Sequence, residues 1–142
     1  MKLKDVLAAK GRRVVTVTAK SSIADAIRTM HAAKVGAVLV PDAEGCPVGI
    51  FTERDVVRLY AEGERDFDAL AVEARMTCSV VVGRLSMSVD EALGVMTERR
   101  FRHLPVVEDG RLLGLVSIGD LVKIRLEEAA QEAQALRAYI TQ

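Results

Sequence analysis

The chain has no tryptophan and only three phenylalanines and two tyrosines in 142 residues, so it lacks the aromatic platforms on which single-stranded nucleic acids stack. Lysine plus arginine equals aspartate plus glutamate at 20 each. Without an excess of either sign there is no global field to draw in DNA, RNA or an anionic membrane. No run approaches the roughly 18 apolar residues of a membrane-spanning helix. Residues 1–7, broken by Lys2, Lys4 and Asp5, are not the uninterrupted apolar stretch of a signal peptide. Cys46 and Cys78 stand without Cys-x-x-Cys or Cys/His ligand spacing, which predicts two free thiols in a reducing cytoplasm, with a disulfide between them as the alternative. His31 and His103 fall in different halves, and no paired-acid or His-x-x-x-His spacing suggests a nucleophile with its base or a metal cluster.

Half of the residues are apolar, enough at this length for a proper core. They are arranged as a repeat. Gly49-Ile50-Phe51-Thr52-Glu53-Arg54-Asp55 returns 65 residues on as Gly114-Leu115-Val116-Ser117-Ile118-Gly119-Asp120, and Ile23-Ala24-Asp25-Ala26-Ile27-Arg28-Thr29-Met30 returns 66 residues on as Val89-Asp90-Glu91-Ala92-Leu93-Gly94-Val95-Met96. Periodicity gives each half the same series. A short β-branched strand (14–17 and 80–82) precedes a helix capped by Ser22 or Ser88, with Ile23, Ala26, Ile27 and Met30, or Val89, Ala92, Leu93 and Met96, on one face. A hairpin follows (36–40 with 47–51; 103–107 with 112–116), then a helix from 53 to about 61 or from 118 onward. Residues 3–7 and 72–77 read as equivalent lead-ins, the second a short helix. The expected division is 1–62 for the first repeat with its lead-in, 63–79 for a linker and short helix, 80–125 for the second repeat, and 126–142 for a helical extension. Along that last helix Val122, Leu126, Ala129, Ala133, Leu136 and Ile140 are spaced 4, 3, 4, 3, 4, a coiled-coil seam that predicts contact with another chain, most simply a homodimer.

The repeated turn has a chemistry of its own. A strand ending at Phe51 and a helix starting after Thr52 leave backbone amides without partners, a ready anion site. An ionised carboxylate such as Asp55 or Asp120 can accept both hydroxyls of a ribose diol, so acid and hydroxyl can divide one nucleotide between them. Gly49 and Gly114 would let backbone or ligand approach closely. The same residues, Thr52-x-x-Asp55 and Ser117-x-x-Asp120, also spell an N-terminal capping box, which needs no ligand.

With both Gly-x-x-Thr/Ser-x-x-Asp turns at matching phase, the strand Phe101-Arg102-His103-Leu104-Pro105-Val106-Val107 and the Met76-Thr77 lead-in, the chain resembles a cystathionine-beta-synthase (CBS) domain pair of the stand-alone bacterial type over about residues 3 to 125. The fold class this implies is α/β: tandem βαββα repeats forming a pseudo-twofold CBS pair, with two small three-stranded sheets and flanking helices. Two clefts are implied, each for an adenosine-containing ligand such as AMP, ATP, NAD or S-adenosylmethionine. The acid would take the ribose hydroxyls and the Thr or Ser would contact phosphate. Carried over position by position, the cleft headed by Asp55 draws on Ile50, Thr52 and Arg54 of its own turn and on Val81, Phe101, Arg102 and His103 of the second repeat. The cleft headed by Asp120 draws on Leu115, Ser117 and Gly119, with Val15, Val35, Gly36 and Ala37 opposite. Gly36 and Ala37 stand where the first cleft has Arg102 and His103, so phosphorylated ligands are expected to bind tighter at Asp55.

The resemblance implies a regulatory, non-enzymatic module that senses an adenine nucleotide and signals through a change of shape or of partner, with no metal or required cofactor and an unknown regulated protein. Two alternatives stay open: a ligand-free dimerisation scaffold, and an enzyme acting on adenine nucleotides.

Overall fold

The computed structural model describes residues 1–141. In chain order the elements are α1 (Leu3–Lys10), α2 (Ile23–Ala33), β1 (Ala37–Pro41), β2 (Pro47–Thr52), α3 (Glu53–Ala61), a 3-10 turn (Val72–Ala74), α4 (Val89–Arg99), β3 (His103–Glu108), β4 (Arg111–Ser117) and α5 (Ile118–Ile140). Hydroxyl side chains start the four repeat helices. Ser22 accepts the Asp25 amide at 3.0 Å and Ser88 the Glu91 amide at 3.0 Å, while Thr52 and Ser117 open α3 and α5 with full capping boxes. Two of the helix ends are unusual. α2 and α4 each stop at a non-glycine residue in the left-handed region, Lys34 (φ 57°) and Arg100 (φ 59°), from which the next amide turns back onto the Met30 or Met96 carbonyl.

β1 pairs antiparallel with β2 (Val38 opposite Phe51) and β3 with β4 (Leu104 opposite Val116), each hairpin carrying an irregularity at its outer end. The sheets are two-stranded, not three-stranded as the resemblance implies. The expected strands at 14–17 and 80–82 shrink to one parallel bridge each, Thr16 with Leu39 and Gly83 with Val106, the second just outside its expected span. Val14, Val15, Val80 and Val81 line the two hollows, and around Thr16 the Val15 carbonyl and the Val17 amide still bond Leu39 at 3.0 Å each. The lead-in expected to be helical at 72–77 is a single 3-10 turn, Val72–Ala74.

Two apolar clusters form the core, one per repeat, and the lead-ins cross between them. Leu3, Val6 and Leu7 of α1 precede the first repeat in sequence, yet they are buried with Val89, Met96, Leu104, Val116 and Leu121 of the second. Val72, with Phe67 and Leu70 packed against it, lies with Ile23, Met30, Val38, Phe51 and Leu59 of the first. Backbone bonds fasten both crossings: the Leu3 amide to the Met87 carbonyl at 2.9 Å, and the Val72 amide to the Ser21 carbonyl at 2.8 Å. Burial of apolar area that neither repeat could cover alone is the driving force for this exchange. The repeat glycines serve it. A Cβ on Gly114 would come 2.7 Å from Leu7 Cδ2, and one on Gly49 would overlap the Met76 side chain.

Candidate functional site

Both repeated turns are helix caps. In the first, Asp55 Oδ2 accepts the Thr52 amide at 2.8 Å and the Thr52 hydroxyl at 3.1 Å, while the Asp55 amide donates to Thr52 Oγ1 at 3.3 Å. In the second, Asp120 Oδ2 accepts the Ser117 amide at 2.8 Å and the Asp120 amide donates to Ser117 Oγ at 3.1 Å. Capping does not exhaust a carboxylate. It has about four lone-pair sites, and Asp55 Oδ1 meets only a long contact from Arg58 at 3.4 Å.

A hollow of about 300 Å³ opens beside the first turn, with walls from both repeats. Ile50, Thr52, Arg54 and Asp55 reach it from β2 and α3; Val81, Phe101, Arg102 and His103 reach it from the second repeat. All eight residues expected at this cleft are therefore brought together. Sequence reasoning missed Glu53, Thr77, Ser79, Val80, Arg100 and Pro105, which also line it. No local signal marked Arg100, since Lys34, which occupies the matching helix end, is not among the residues lining either hollow. Gly36 is a correction: expected opposite Asp120, it lines the first hollow, where its carbonyl accepts the Glu53 amide at 3.0 Å.

The second hollow, about 230 Å³, is lined by Val15, Val35, Ala37 and Leu115 as expected, but not by Ser117, Gly119 or Asp120. Lys10, Gly11, Arg13 and Val14 take their place. Its expected lack of cations is thereby corrected, because α1 and the turn after it deliver two. Lys10 Nζ sits 2.5 Å from Asp120 Oδ2 and 2.7 Å from the Leu115 carbonyl oxygen. Neither contact was legible locally, since each spans more than a hundred residues.

The charges respond to this packing. Burial would raise the Asp120 carboxyl, but the hydrogen bond from Lys10 and the Ser117 amide outweigh it and hold the group below its ordinary range. Burial, reinforced by the nearby Lys10 ammonium, lowers His103, so the imidazole is neutral near pH 7 and only partly offset by Glu53 and Asp120. Among the described residues no group of three or more His, Cys, Asp or Glu could hold a metal ion. Cys46 and Cys78 are free thiols.

A family model described as CBS domain matches residues 3–62 and 71–127, that is, both repeats. The chain belongs to the CBS domain family. This CBS pair is 47% identical to the CBS-domain containing protein ATU1752 from Agrobacterium tumefaciens, with a TM-score of 0.84 over 88% of this chain and 99% of that one. It is 33% identical to the CBS domain-containing protein CBSX3, mitochondrial, of Arabidopsis thaliana, over 97% of this chain and 71% of the relative. Of some longer plant relatives it spans 24%. The CBS domain protein PAE2072 from Pyrobaculum aerophilum, solved complexed with AMP, shares the fold at a TM-score of 0.78 and 24% identity, over 92% of this chain and 99% of that one.

Proposed function

We propose that this CBS pair is a regulatory module that takes an adenosine-containing ligand in the cleft headed by Asp55 and passes occupancy on by a change of shape or of partner contacts. The observation that carries the reading is the coincidence, in one hollow walled by both repeats, of a carboxylate with spare lone pairs, a hydroxyl at the start of α3, and the side chains of Arg54, Arg100 and Arg102. Asp55 would take the ribose hydroxyls, and Thr52 with the arginines the phosphate. The hollow's volume of about 300 Å³ lies at the small end of ligand sites, roughly 300–1,000 Å³. A mononucleotide such as AMP fills it better than NAD, while the tail of ATP or the methionine of S-adenosylmethionine would extend from its mouth. The AMP complex of PAE2072 supports the ligand class. A ligand must favour one arrangement by differential affinity to act as a signal, and the two-repeat wall supplies a surface whose halves it can draw together. The reading assigns the module no reaction of its own and places it in the cytoplasm, consistent with two free thiols. No helix of the described residues is long and apolar enough to cross a membrane.

The test is a thermal-shift panel of AMP, ADP, ATP, NAD and S-adenosylmethionine. A ligand held at about 100 times its Kd stabilises the native state by about 2.7 kcal/mol. A panel that moves the melting temperature nowhere retires the nucleotide reading.

A second reading, assembly through α5, rests on a separate observation. Val122, Leu126, Leu136 and Ile140 are 44%, 67%, 63% and 77% exposed along one stripe of that helix. We propose that the stripe meets a second copy of this chain in parallel. With Leu126, Ala133 and Ile140 at the a positions, Glu132 and Arg137 fall at g and the following e, so a parallel partner in register gains two opposite-charge pairs. In the scaffold reading this contact is the whole function; in the sensor reading it is the output.

A further inference from the structure

We propose that Lys10 is an internal competitor that closes the second cleft to ribose, so that each chain takes one nucleotide, in the cleft headed by Asp55. This rests on the nucleotide reading above. The Lys10 ammonium gives one donor to Asp120 Oδ2 at 2.5 Å and another to the Leu115 carbonyl at 2.7 Å. It meets the carboxylate with a full positive charge, where a ribose diol offers only neutral hydroxyl donors. Lys10 and Leu115 line the second hollow and Asp120 does not, so that space is walled by the lysine and not by the acid it holds. In the first cleft Asp55 lines the hollow itself, and the cation that meets it, Arg58, lies on its own helix.

The repeat shows how the two clefts came to differ. Leu7 faces Gly114 as Met76 faces Gly49, which makes Leu7 and Met76 equivalent positions. Three residues beyond each stand Lys10 and Ser79, lining the second and first hollows respectively. One cleft therefore has a short neutral side chain where the other has an ammonium long enough to reach the acid. The lysine's backbone is also fixed: Leu3, Val6 and Leu7 anchor α1 in the second core, and the Gly11 amide closes the helix onto the Leu7 carbonyl at 2.7 Å. The depressed Asp120 carboxyl fits an acid kept ionised by its own chain.

The experiment is calorimetric titration with AMP of the full chain and of Lys10→Met, which keeps the aliphatic stem and removes the ammonium, with Lys10→Arg as the charge-retaining control. The expected result is one AMP per chain for the parent and for Lys10→Arg, and two for Lys10→Met, the added site vanishing when Asp120→Asn is combined with Lys10→Met. A parent chain that takes two, a Lys10→Met variant that melts normally yet still takes one, or a Lys10→Arg variant that takes two overturns the competitor while leaving nucleotide binding intact. Silence of every variant toward AMP, ATP, NAD and S-adenosylmethionine overturns both.

Discussion

Replacing Asp55 by alanine should lower stability and ligand affinity by separable amounts. In the folded chain its Oδ2 holds the Thr52 amide at 2.8 Å and the Thr52 hydroxyl at 3.1 Å. Alanine leaves that amide without a partner and removes a first-turn negative charge from α3, a loss of about 0.5–2 kcal/mol by analogy with other helix caps. For a chain of this size about 1 kcal/mol moves the melting temperature by roughly 2–8 °C. Binding should suffer more. A hydrogen bond to a charged group is worth about 1.5–3 kcal/mol, so AMP affinity should fall on the order of 10- to 100-fold. Asp120→Ala is the internal control. It loses the matching cap, with the Ser117 amide at 2.8 Å, and an ion pair to Lys10 whose partners are 36% and 28% exposed. Solvent screens that partly exposed pair, which limits what it adds to folding stability. Asp120→Ala should therefore destabilise by a similar amount yet bind AMP at the first cleft like the parent. Thermal melts paired with calorimetry on the three proteins decide it. If Asp55→Ala melts lower but binds AMP undiminished, the carboxylate is a helix staple and nothing more; if Asp120→Ala weakens AMP as strongly, the clefts are equivalent and the reasoning fails.

The crossing of the lead-ins predicts coupling between Gly114 and Leu7. Gly114→Ala alone should cost about 1–3 kcal/mol from overlap with Leu7 Cδ2 and Leu7→Ala alone about 2–5 kcal/mol, while the double variant should cost less than their sum by more than about 0.5 kcal/mol. Urea unfolding measures this, and strict additivity would mean α1 does not seat against β4. His103, lowered by burial and by Lys10, binds its proton less readily folded than unfolded. Its contribution to stability is therefore complete above the unfolded pKa of about 6.5 and is lost as pH falls through that value toward the lower folded one. A phosphate beside the imidazole would reverse the shift, so AMP binding should take up a proton and tighten toward lower pH, a dependence that His103→Gln should flatten in calorimetry across buffers. Deleting residues 126–142 should convert a dimer to a folded monomer in light scattering, with the two cores still melting cooperatively; an unchanged mass would place the interface elsewhere.

The caps and hairpins were legible in the sequence because their causes are local. A serine or threonine bonding an amide three residues on, or alternating apolar residues around a tight turn, is settled within a few residues of chain. The residues gathered at the Asp55 hollow were legible for a related reason: two copies of one turn, read with a family resemblance, fix which strand faces which. The left-handed ends at Lys34 and Arg100 carry no glycine to announce them, and nothing local marks the stretches at 14–17 and 80–82 as single bridges in place of strands.

By itself, the sequence determined that the chain is a doubled unit with matching helix starts and matching acidic turns, since hydrogen bonds between near neighbours need no knowledge of the rest. Which core receives Leu3, Val6 and Leu7 was decided only in three dimensions, because an apolar face records that it must be buried and not against what. That choice adds to an inequality the sequence already carries in Arg102 and His103 against Gly36 and Ala37: once α1 lies on the second repeat, Lys10 reaches Asp120 across 110 residues of chain, and the second acid is met by a cation no local reading could supply.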